Sequence, residues 1–294
     1  MPLPEPPPPD QPMLPAGTFA GATVVVTGGG TGLGKAIAVE FARLGARVGI
    51  VSRSEEHRLA GVAAVEAVGG RAAHAGADIR KADDISAAWD ALERELGPAR
   101  VLVNNAAANF PVSAEDLSAN GWRAVTQIVL DGTFFCSQEL FRRARDAGEP
   151  AAICNILATQ SFTGGPGMSH TAAAKAGVGN LTKTLAVEWA PYGVRVNALA
   201  PGLFPHEDMR ADLKALRTEG AAVDARRSPA GRLGRLHELG WAATWLCSPY
   251  AAFVTGHTLV VDGANWLRRD FVMPEFMPIR DQIGAVVPPR KPAE

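Results

Sequence analysis

Residues Ala22 to Gly34 read ATVVVTGGGTGLG, a short apolar run followed directly by a cluster of glycines. The run Ala22–Thr27 is rich in β-branched residues and predicts a buried strand, and Gly32–Leu44 then has apolar residues at helical spacing. Glycines between a strand and a helix let the backbone turn tightly, and the first N–H groups of the helix favour an anion such as a pyrophosphate. A plain tight turn is the alternative, but the flanking strand and helix favour a pyrophosphate site. The residues predicted to line it are Thr27, Gly28, Thr31, Gly32, Leu33 and Gly34.

Further segments of strand length alternate with helical patterns along the rest of the chain. The predicted strands are Ala22–Thr27, Arg47–Val51, Arg71–Ala77, Val101–Asn104, Ala151–Leu157, Val194–Ala200 and His257–Val261. The predicted helices are Gly32–Leu44, Glu55–Val68, Asp83–Leu96, about Gly121–Ala147, Ser169–Ala190 and His237–Cys247. This alternation predicts an α/β fold, a Rossmann-type doubly wound sheet of seven parallel strands with helices on both faces in a single domain.

The composition is that of a soluble globular chain, with 47% hydrophobic and 20% charged residues among 294. This length can bury a large core as one domain or two small ones, and no linker divides the middle of the chain. The formal net charge of −1 gives no electrostatic reason to expect nucleic acid or an anionic membrane as a partner. No apolar run approaches the length of a membrane span.

The two ends of the chain differ from its middle. Residues 1–17 are rich in proline and predict an extended, flexible arm, residues 18–266 form the folded domain, and residues 267–294 form a tail with little periodicity. The start lacks the pattern of a signal peptide, and the final KPAE carries no peroxisomal address. The three cysteines form no CxxC pair and lie in apolar settings, so we expect reduced core residues and a cytoplasmic protein; they are Cys136, Cys154 and Cys247.

The predicted strand ends carry residues suited to the rest of a dinucleotide. Ser52 and Arg53 follow the second strand, where an NAD-binding fold commonly has an acidic residue for the adenosine ribose. Because a guanidinium can pair with a 2′-phosphate, NADPH is the predicted cofactor, with a solvated loop arginine as the alternative. After the third and fourth strands, the predicted cofactor contacts are Asp78, Ile79, Asn105, Ala106 and Ala107, with Asn104 expected beside them.

A lone charge marks the stretch Cys154–Asn180, which reads CNILATQSFTGGPGMSHTAAAKAGVGN. That charge is Lys175, within AAAKAGVGN. Burying an unpaired ammonium is costly, and a surface helix normally carries more polar residues. Thr171 lies one turn earlier on the same helix face. The stretch therefore predicts a functional site at the start of this helix.

These motifs together resemble the short-chain dehydrogenase/reductase superfamily over about residues 18–266. The resemblance rests on TGGGTGLG, NNAA, the Lys175 helix, VRVNALAPG at Val194–Gly202 and VVDG at Val260–Gly263. A narrower resemblance is to its 2,4-dienoyl-CoA reductase branch, closest to the peroxisomal type, and it rests on NNAAANF at Asn104–Phe110, GRLG at Gly231–Gly234, HTAAAKAGV and VTGHTLVVDGANWL. It implies NADPH-dependent reduction of a conjugated dienoyl-CoA thioester in the breakdown of unsaturated fatty acids, and a homotetramer. It also implies cofactor contacts from Lys175, Pro201, Gly202 and Leu203.

The residues expected for ketone reduction are missing. Ordinary members of the superfamily use a Ser, a Tyr and a Lys, and the Tyr four residues before the Lys donates the proton. Here the Tyr position is Thr171 and the Ser position is Ala158. Because a phenol has a pKa of about 10 and an aliphatic hydroxyl is a far weaker acid, Thr171 cannot take the Tyr role.

No other tyrosine is expected to replace it. The mitochondrial type of dienoyl reductase uses a displaced Tyr, and that position here is Gln160, which has no proton to give. Tyr192 lies roughly 25 Å beyond Lys175 if the helix continues at about 1.5 Å per residue. Tyr250 lies in the turn before the last strand. Neither is expected to reach the nicotinamide.

A conjugated thioester needs less from the protein than a ketone does. Hydride goes to the far end of the diene, and the negative charge that spreads to the thioester oxygen needs hydrogen-bond donors, followed by a proton that water can deliver. The resemblance implies Asn109 as that donor and Lys175 as the residue that binds the nicotinamide ribose. Thr171 is predicted to bond the oxygen or a water. The alternatives are that Thr171 only caps or packs, and that Asn109 is a turn residue.

The substrate is expected on the side of residues 203–235, which follow the sixth strand and should form a lid. Arginines of the lid could meet the phosphates of coenzyme A or could lie on a solvated helix face; they are Arg210, Arg217, Arg226, Arg227, Arg232 and Arg235. The pair Arg268-Arg269 opens the tail and could contact the substrate or a neighbouring subunit. No metal-ligand spacing is present, and His206 and His237 are interpreted as surface groups. Competing functions are a reductase of the same fold for another enone or acyl thioester, and a nucleotide-binding protein without catalysis.

Overall fold

The computed structural model describes residues 3–11, 13–209, 225–268 and 278–284. Its centre is one sheet of seven parallel strands in the order β3-β2-β1-β4-β5-β6-β7. The strands are β1 Thr23–Thr27, β2 Arg47–Val51, β3 Arg71–Ala75, β4 Ala99–Asn104, β5 Ala151–Ile156, β6 Val194–Pro201 and β7 Thr258–Val261. The predicted fold class is confirmed, and every predicted strand is present.

Both faces of the sheet are covered by helices. All five residues of β1 and all six of β5 are buried, which explains why these strands read as continuous apolar runs rather than alternating patterns. One face packs on a core that includes Phe41 and Leu239, and the other on a core that includes Trp89 and Leu140. The described helices are α1 Gly32–Arg43, α2 Glu55–Glu66, α3 Ala82–Leu96, α4 Ala119–Thr126, α5 Gly132–Ala147, the single turn α6 Gln160–Thr163, α7 Ser169–Trp189, α8 Leu236–Cys247 and α9 Ile279–Gly284.

The long helix predicted at about Gly121–Ala147 contains one irregular turn. A π-helical turn, Gln127–Asp131, joins α4 to α5. Next to it the Thr133 hydroxyl donates to the Val129 carbonyl over 2.7 Å, a bond from a side chain back to the preceding turn that often bends helices. Periodicity alone did not show this interruption, because one extra residue in a turn barely changes the apolar pattern.

The order of the strands places a crevice at their carboxyl ends. β1 and β4 are neighbours, and the chain leaves them towards opposite ends of the sheet. In open parallel sheets a ligand binds outside the carboxyl ends of the strands at such a reversal. The strands that end along this edge do so at Thr27, Val51, Ala75, Asn104, Ile156 and Pro201.

The described parts of the arm, lid and tail contact the domain. Leu3 N donates to Ala230 O over 2.7 Å, and the Glu5 carboxylate pairs with Arg235 at 2.8 Å. In α9, Arg280 pairs with Asp116. Arg210, Arg217 and Arg269 of the sequence predictions lie outside the described residues, as do residues 210–224 of the lid and most of the tail. Within the described ranges, no helix is long and apolar enough to cross a bilayer.

Candidate active site

The glycine-rich loop after β1 has the shape that the sequence predicted. Gly28 and Gly32 adopt φ values of +64° and +49°, the left-handed region that favours glycine. A Cβ at Gly34 would lie 2.4 Å from Gly28 O, so the loop closes too tightly for any side chain there. The Asn105 amide donates to Thr27 O and Gly28 O, each over 3.1 Å. The loop after β4 therefore holds the glycine loop in place.

The first N–H group of α1 bonds an acidic side chain from the segment that follows β6. Thr31, the N-cap of α1, makes no capping bond with its side chain. Instead, Gly32 N donates to Asp208 Oδ2 over 2.7 Å, and Lys35 Nζ pairs with the same oxygen at 3.1 Å. Burial raises the pKa of Asp208, but these bonds outweigh it and the pKa lies below its ordinary value. The sequence reasoning missed Asp208.

The part of the crevice beside the ends of β2 and β3 is rich in guanidinium groups. Arg58 Nη1 donates to Ser52 O over 2.8 Å and to Arg53 O over 2.9 Å, so it fixes the loop after β2. Hydrogen bonds from Arg80 hold the pKa of Asp78 at about 2. The charge of Arg53 adds to this lowering, which places Arg53 within electrostatic reach of Asp78. Neither Arg58 nor Arg80 was singled out from the sequence.

Lys175 is buried at the start of α7, as its lone charge indicated. It is 6% exposed, and its ammonium donates to the Ile156 carbonyl at the carboxyl end of β5. Burial lowers the pKa of Lys175 to about 8. An ammonium held beside the strand ends can donate its remaining N–H groups to a ligand in the crevice.

Thr171 and Asn109 meet directly. The Thr171 hydroxyl donates to Asn109 Oδ1 over 3.0 Å, and Thr171 is only 4% exposed. The neighbouring residues also pair: the rings of His170 and Phe110 meet edge to face with centroids 4.5 Å apart. A backbone bond of 2.9 Å from Val112 N to Gly167 O adds a third contact. These contacts fasten residues 109–112 to the start of α7.

The positions where an acid group was sought carry none. Ala158 follows β5, and Gln160 begins the single turn α6. Tyr192 lies past the far end of α7 and is 53% exposed, where its ring contacts Phe141. Tyr250 is 62% exposed, in a short helical turn after α8.

Asn104 differs from its sequence-based prediction. Its amide is 4% exposed and donates to Ser137 Oγ and Asn155 Oδ1, each over 2.9 Å, so it faces the packed interior rather than the crevice. Asn155 in turn donates to Thr182 Oγ1 on α7 over 3.0 Å. This buried chain of hydrogen bonds ties β4 and β5 to α5 and α7 beneath the site. It was not anticipated, because a single asparagine at a strand end gives no sign of its direction.

The last predicted cofactor contacts lie at the end of β6. Pro201 ends the strand, and Gly202 N donates to Val261 O over 2.9 Å. A Cβ at Gly202 would lie 2.4 Å from Asp262 Cβ, so this turn requires glycine. Leu203 is 37% exposed.

The residues along this edge fit a nicotinamide dinucleotide. The glycine loop and the N-terminus of α1 already hold an anionic group, the Asp208 carboxylate, in the position suited to a pyrophosphate. Arginines lie beside the ends of β2 and β3, where the adenosine of such a cofactor would lie, and the buried Lys175 lies at the end of β5, beyond β4 on the other side of the crevice. Such a cofactor, when bound, supplies or accepts a hydride.

Comparisons with known proteins agree with this geometry. The profile of the family described as Enoyl-(Acyl carrier protein) reductase matches residues 28–264. A probable 2,4-dienoyl-CoA reductase, (2E)-enoyl-CoA-producing, of Bacillus subtilis (strain 168) is 40% identical over 246 residues, which is 83% of this chain and 96% of that protein. The peroxisomal 2,4-dienoyl-CoA reductase, (3E)-enoyl-CoA-producing, of Mus musculus is 38% identical over 246 residues and 82% of each chain.

A solved structure extends the comparison to a cofactor complex. The gluconate 5-dehydrogenase of Burkholderia cenocepacia J2315, in complex with NADP and tartrate, superposes with a TM-score of 0.78 at 33% identity and covers 85% of this chain and 97% of its own. Fold, glycine loop and sequence similarity agree. The chain therefore belongs to the short-chain dehydrogenase/reductase superfamily and is an oxidoreductase of that superfamily.

Proposed function

We propose that the protein reduces a conjugated 2,4-dienoyl-CoA thioester with NADPH, as a step in the breakdown of unsaturated fatty acids. The observation that carries the proposal is the bond from Thr171 to Asn109, next to the buried Lys175 helix and with no acid group at positions 158, 160 or 171. This site has hydrogen-bond donors for an enolate oxygen but no side chain suited to protonate an alkoxide. The two relatives that carry dienoyl-CoA reductase names support the substrate class.

Asn109 is the proposed donor to the thioester oxygen. Its Oδ1 accepts from Thr171, so its amide N–H groups are the part left for a ligand. As the hydride adds to the far carbon of the diene, a pair of electrons moves along the conjugated chain to the thioester oxygen. A donor aimed at that oxygen stabilises the dienolate more than the neutral substrate. A proton from water then reaches carbon and completes the reduction.

Lys175 is the proposed ligand of the nicotinamide ribose. With a pKa of about 8 it remains mostly protonated at pH 7, and its bond to the Ile156 carbonyl fixes the direction of the ammonium. Hydrogen bonds to the ribose hydroxyls would orient the ring for hydride transfer, and the positive charge favours the enolate.

Thr171 acts on Asn109 rather than on the substrate. Because it is 4% exposed and its hydroxyl donates to Asn109, it has no free proton to offer a substrate oxygen. Its proposed role is to hold the Asn109 amide in one orientation. This differs from the sequence-based hypothesis that Thr171 bonds the oxygen or a water.

The proposed contacts with the 2′-phosphate, the acyl chain and coenzyme A involve residues at the surface of the site. Arg53 and the loop fixed by Arg58 favour the 2′-phosphate of NADPH. Phe162 is 48% exposed, and its ring centroid lies 5.3 Å from that of Trp266; it supplies apolar surface suited to an acyl chain. Two of the lid arginines predicted to contact coenzyme A already form ion pairs within the chain. Arg232 binds Glu238, and Arg235 binds Glu5, so both are less available for a phosphate.

A homotetramer in the cytoplasm completes the proposal. Val187 on α7 and Phe253 before β7 are 78% and fully exposed, respectively, which suits subunit contacts. All three cysteines are free and buried, in keeping with a reducing compartment.

The test is oxidation of NADPH in the presence of 2,4-hexadienoyl-CoA. Wild type should turn over, and both Asn109→Ala and Lys175→Ala should lose about 100-fold or more in kcat, the scale of losing one transition-state donor. Glu66→Gln, a change at an exposed residue on α2, is the control variant. If both variants keep wild-type turnover, the assignment of roles is wrong.

Two other outcomes separate the competing functions. Turnover with a ketone but not with a dienoyl or enoyl thioester would contradict the proposal and the view that no acid group serves. Binding of NADPH without turnover of any enone would identify a nucleotide-binding relative that lacks catalysis.

A further inference from the structure

The segment that follows β6 places an acidic side chain in the phosphate-binding position of α1. Asp208 accepts from Gly32 N over 2.7 Å, and it pairs with Lys35 at 3.1 Å. The same segment lies close over the loop, because a Cβ at Gly32 would come within 2.8 Å of the His206 ring. The bond between Gly32 and Asp208 joins residues 176 positions apart.

A carboxylate in this position has the chemistry of a phosphate oxygen. It is anionic, it accepts from the first backbone N–H groups of a helix, and it gains from the helix dipole. Thr31 makes no capping bond with its side chain, so Asp208 takes the role that the N-cap side chain would otherwise have. Lys35, one turn into α1, supplies the countercharge for whichever anion is bound.

We propose that Asp208 competes with the cofactor pyrophosphate for the N–H of Gly32 and the ammonium of Lys35, so that the dinucleotide binds only after residues 205–209 move away. Both anions need the same donor, and one N–H cannot serve two acceptors at full strength. Asp208 therefore sets the affinity for the cofactor as well as the order of events. The inference rests on dinucleotide binding and is independent of the acyl substrate.

The competition lowers the apparent affinity of the protein for NADPH. The apparent affinity equals the affinity of the open site multiplied by the fraction of molecules in which that site is open. Because the side chains of Asp208 and Lys35 are 26% and 23% exposed, water and salt screen their attraction, so the contact is one that a pyrophosphate with two charges can displace. The low pKa of Asp208 keeps its carboxylate ionised throughout the neutral range.

The test compares the dissociation constants for NADPH of wild type and three variants, measured by the fluorescence of the cofactor and by calorimetry. The variants are Asp208→Ala, Asp208→Asn and Glu207→Gln. Asp208→Ala should bind about tenfold more tightly, the change that 1.4 kcal/mol produces. Asp208→Asn, which keeps an acceptor without the charge, should lie between it and wild type. Glu207 pairs with Lys35 at 3.0 Å, so Glu207→Gln removes one charge from the same segment and leaves the bond to Gly32 in place; we expect a smaller gain.

Association kinetics give a second readout that does not need turnover. If the segment must move first, the observed binding rate of wild type levels off at high NADPH, whereas that of Asp208→Ala keeps rising with concentration. Inorganic pyrophosphate, used as a competitor, should bind Asp208→Ala more tightly as well. Equal or weaker NADPH binding by both Asp208 variants, or a linear rate for wild type, would overturn the proposal. Absence of dienoyl-CoA turnover alone would count against the proposed substrate and leave this inference intact.

Discussion

Thr171 Oγ1 lies 3.0 Å from Asn109 Oδ1 and donates its only proton to it. The bond joins the first turn of α7 to the loop after β4, and it decides which end of the Asn109 amide remains for a ligand. An amide whose oxygen is held can present only its N–H groups, which are the donors that an enolate oxygen requires. A threonine in this position therefore orients the Asn109 amide and does not act as the proton donor of the reaction.

Replacing Thr171 should separate orientation from acidity. In Thr171→Val the Asn109 amide loses its partner and can turn its oxygen toward the substrate, so kcat for hexadienoyl-CoA should fall about tenfold, the effect of one hydrogen bond of about 1.4 kcal/mol. Thr171→Ser keeps the hydroxyl and should retain wild-type kcat. Steady-state kinetics measure both.

A double-mutant cycle shows whether Thr171 acts through Asn109. In an Asn109→Ala background, Thr171→Val should cost nothing further, because its target is gone. A second readout is the near-ultraviolet absorbance of the enolate of a β-ketoacyl-CoA bound with NADP⁺, which should be weaker in both single variants. Additive losses would show that Thr171 has a separate role.

The general fold was predictable from local patterns. The β-branched run at Ala22–Thr27 and the apolar runs after it lie in a sheet covered on both faces, and such strands must be apolar throughout. The glycine cluster also predicted its own geometry, because the positive φ of Gly28 and Gly32 is available mainly to glycine. Lys175 could be predicted as a site residue because burying an isolated charge in an apolar helix costs free energy unless the charge binds a partner or a ligand.

The remaining features of the site depend on contacts between distant segments. Asn109 and Thr171 are 62 positions apart, and no periodicity indicates that they meet. The bond from Gly32 to Asp208 spans an even longer separation and arises from the path of the chain after β6. The Asn104 side chain points inward because Asn155 on β5 and Ser137 on α5 provide hydrogen-bond partners there. Side-chain direction at a strand end is a tertiary property.

The buried ammonium of Lys175 predicts a pH limit on cofactor use. Its pKa of about 8 lies below the ordinary 10.5 because burial disfavours the charged form. The group is charged below pH 8 and neutral above it, so kcat/KM for NADPH should fall as the pH rises through about 8. Lys175→Met should have a low, flat profile, and Lys183→Met, an exposed lysine on the same helix, should keep the wild-type profile. A wild-type profile that stays level to pH 9.5 would contradict this role.

Arg53 and Arg58 should affect cofactor choice in different ways. Arg53→Gln should weaken NADPH binding about tenfold and leave NADH unchanged, since only the 2′-phosphate needs the charge. Arg58 bonds the carbonyls of Ser52 and Arg53, so Arg58→Gln should loosen the loop and weaken both cofactors. Dissociation constants for NADPH, NADH and 2′,5′-ADP distinguish the two. Equal NADPH and NADH affinity in wild type would remove the basis for the proposed cofactor.

Glu40 predicts a pH dependence of stability that is independent of the active site. It lies on α1 against α8, is 3% exposed, and accepts from Trp241 Nε1 over 3.1 Å, while a Cβ at Gly240 would come within 2.4 Å of its Cγ. Burial raises its pKa to about 7, and the attraction of Arg43 and the bond from Trp241 only partly oppose this.

The direction of the effect follows from proton binding. Between pH 4.5 and about 7 the folded chain holds a proton on Glu40 that the unfolded chain has lost, so the free energy of unfolding falls as the pH rises through this window. Glu40→Gln removes the buried charge and keeps an oxygen for Trp241. It should therefore be more stable than wild type at pH 8, by on the order of 3 kcal/mol for a shift of this size, and the difference should vanish near pH 4.5. Urea unfolding at fixed protein concentration across pH 4.5–8.5 measures it, with exposed Glu66→Gln as the control. A constant difference at all pH values would mean that Glu40 has the same pKa in the folded and unfolded chains, and that the space between α1 and α8, rather than the charge, sets its contribution.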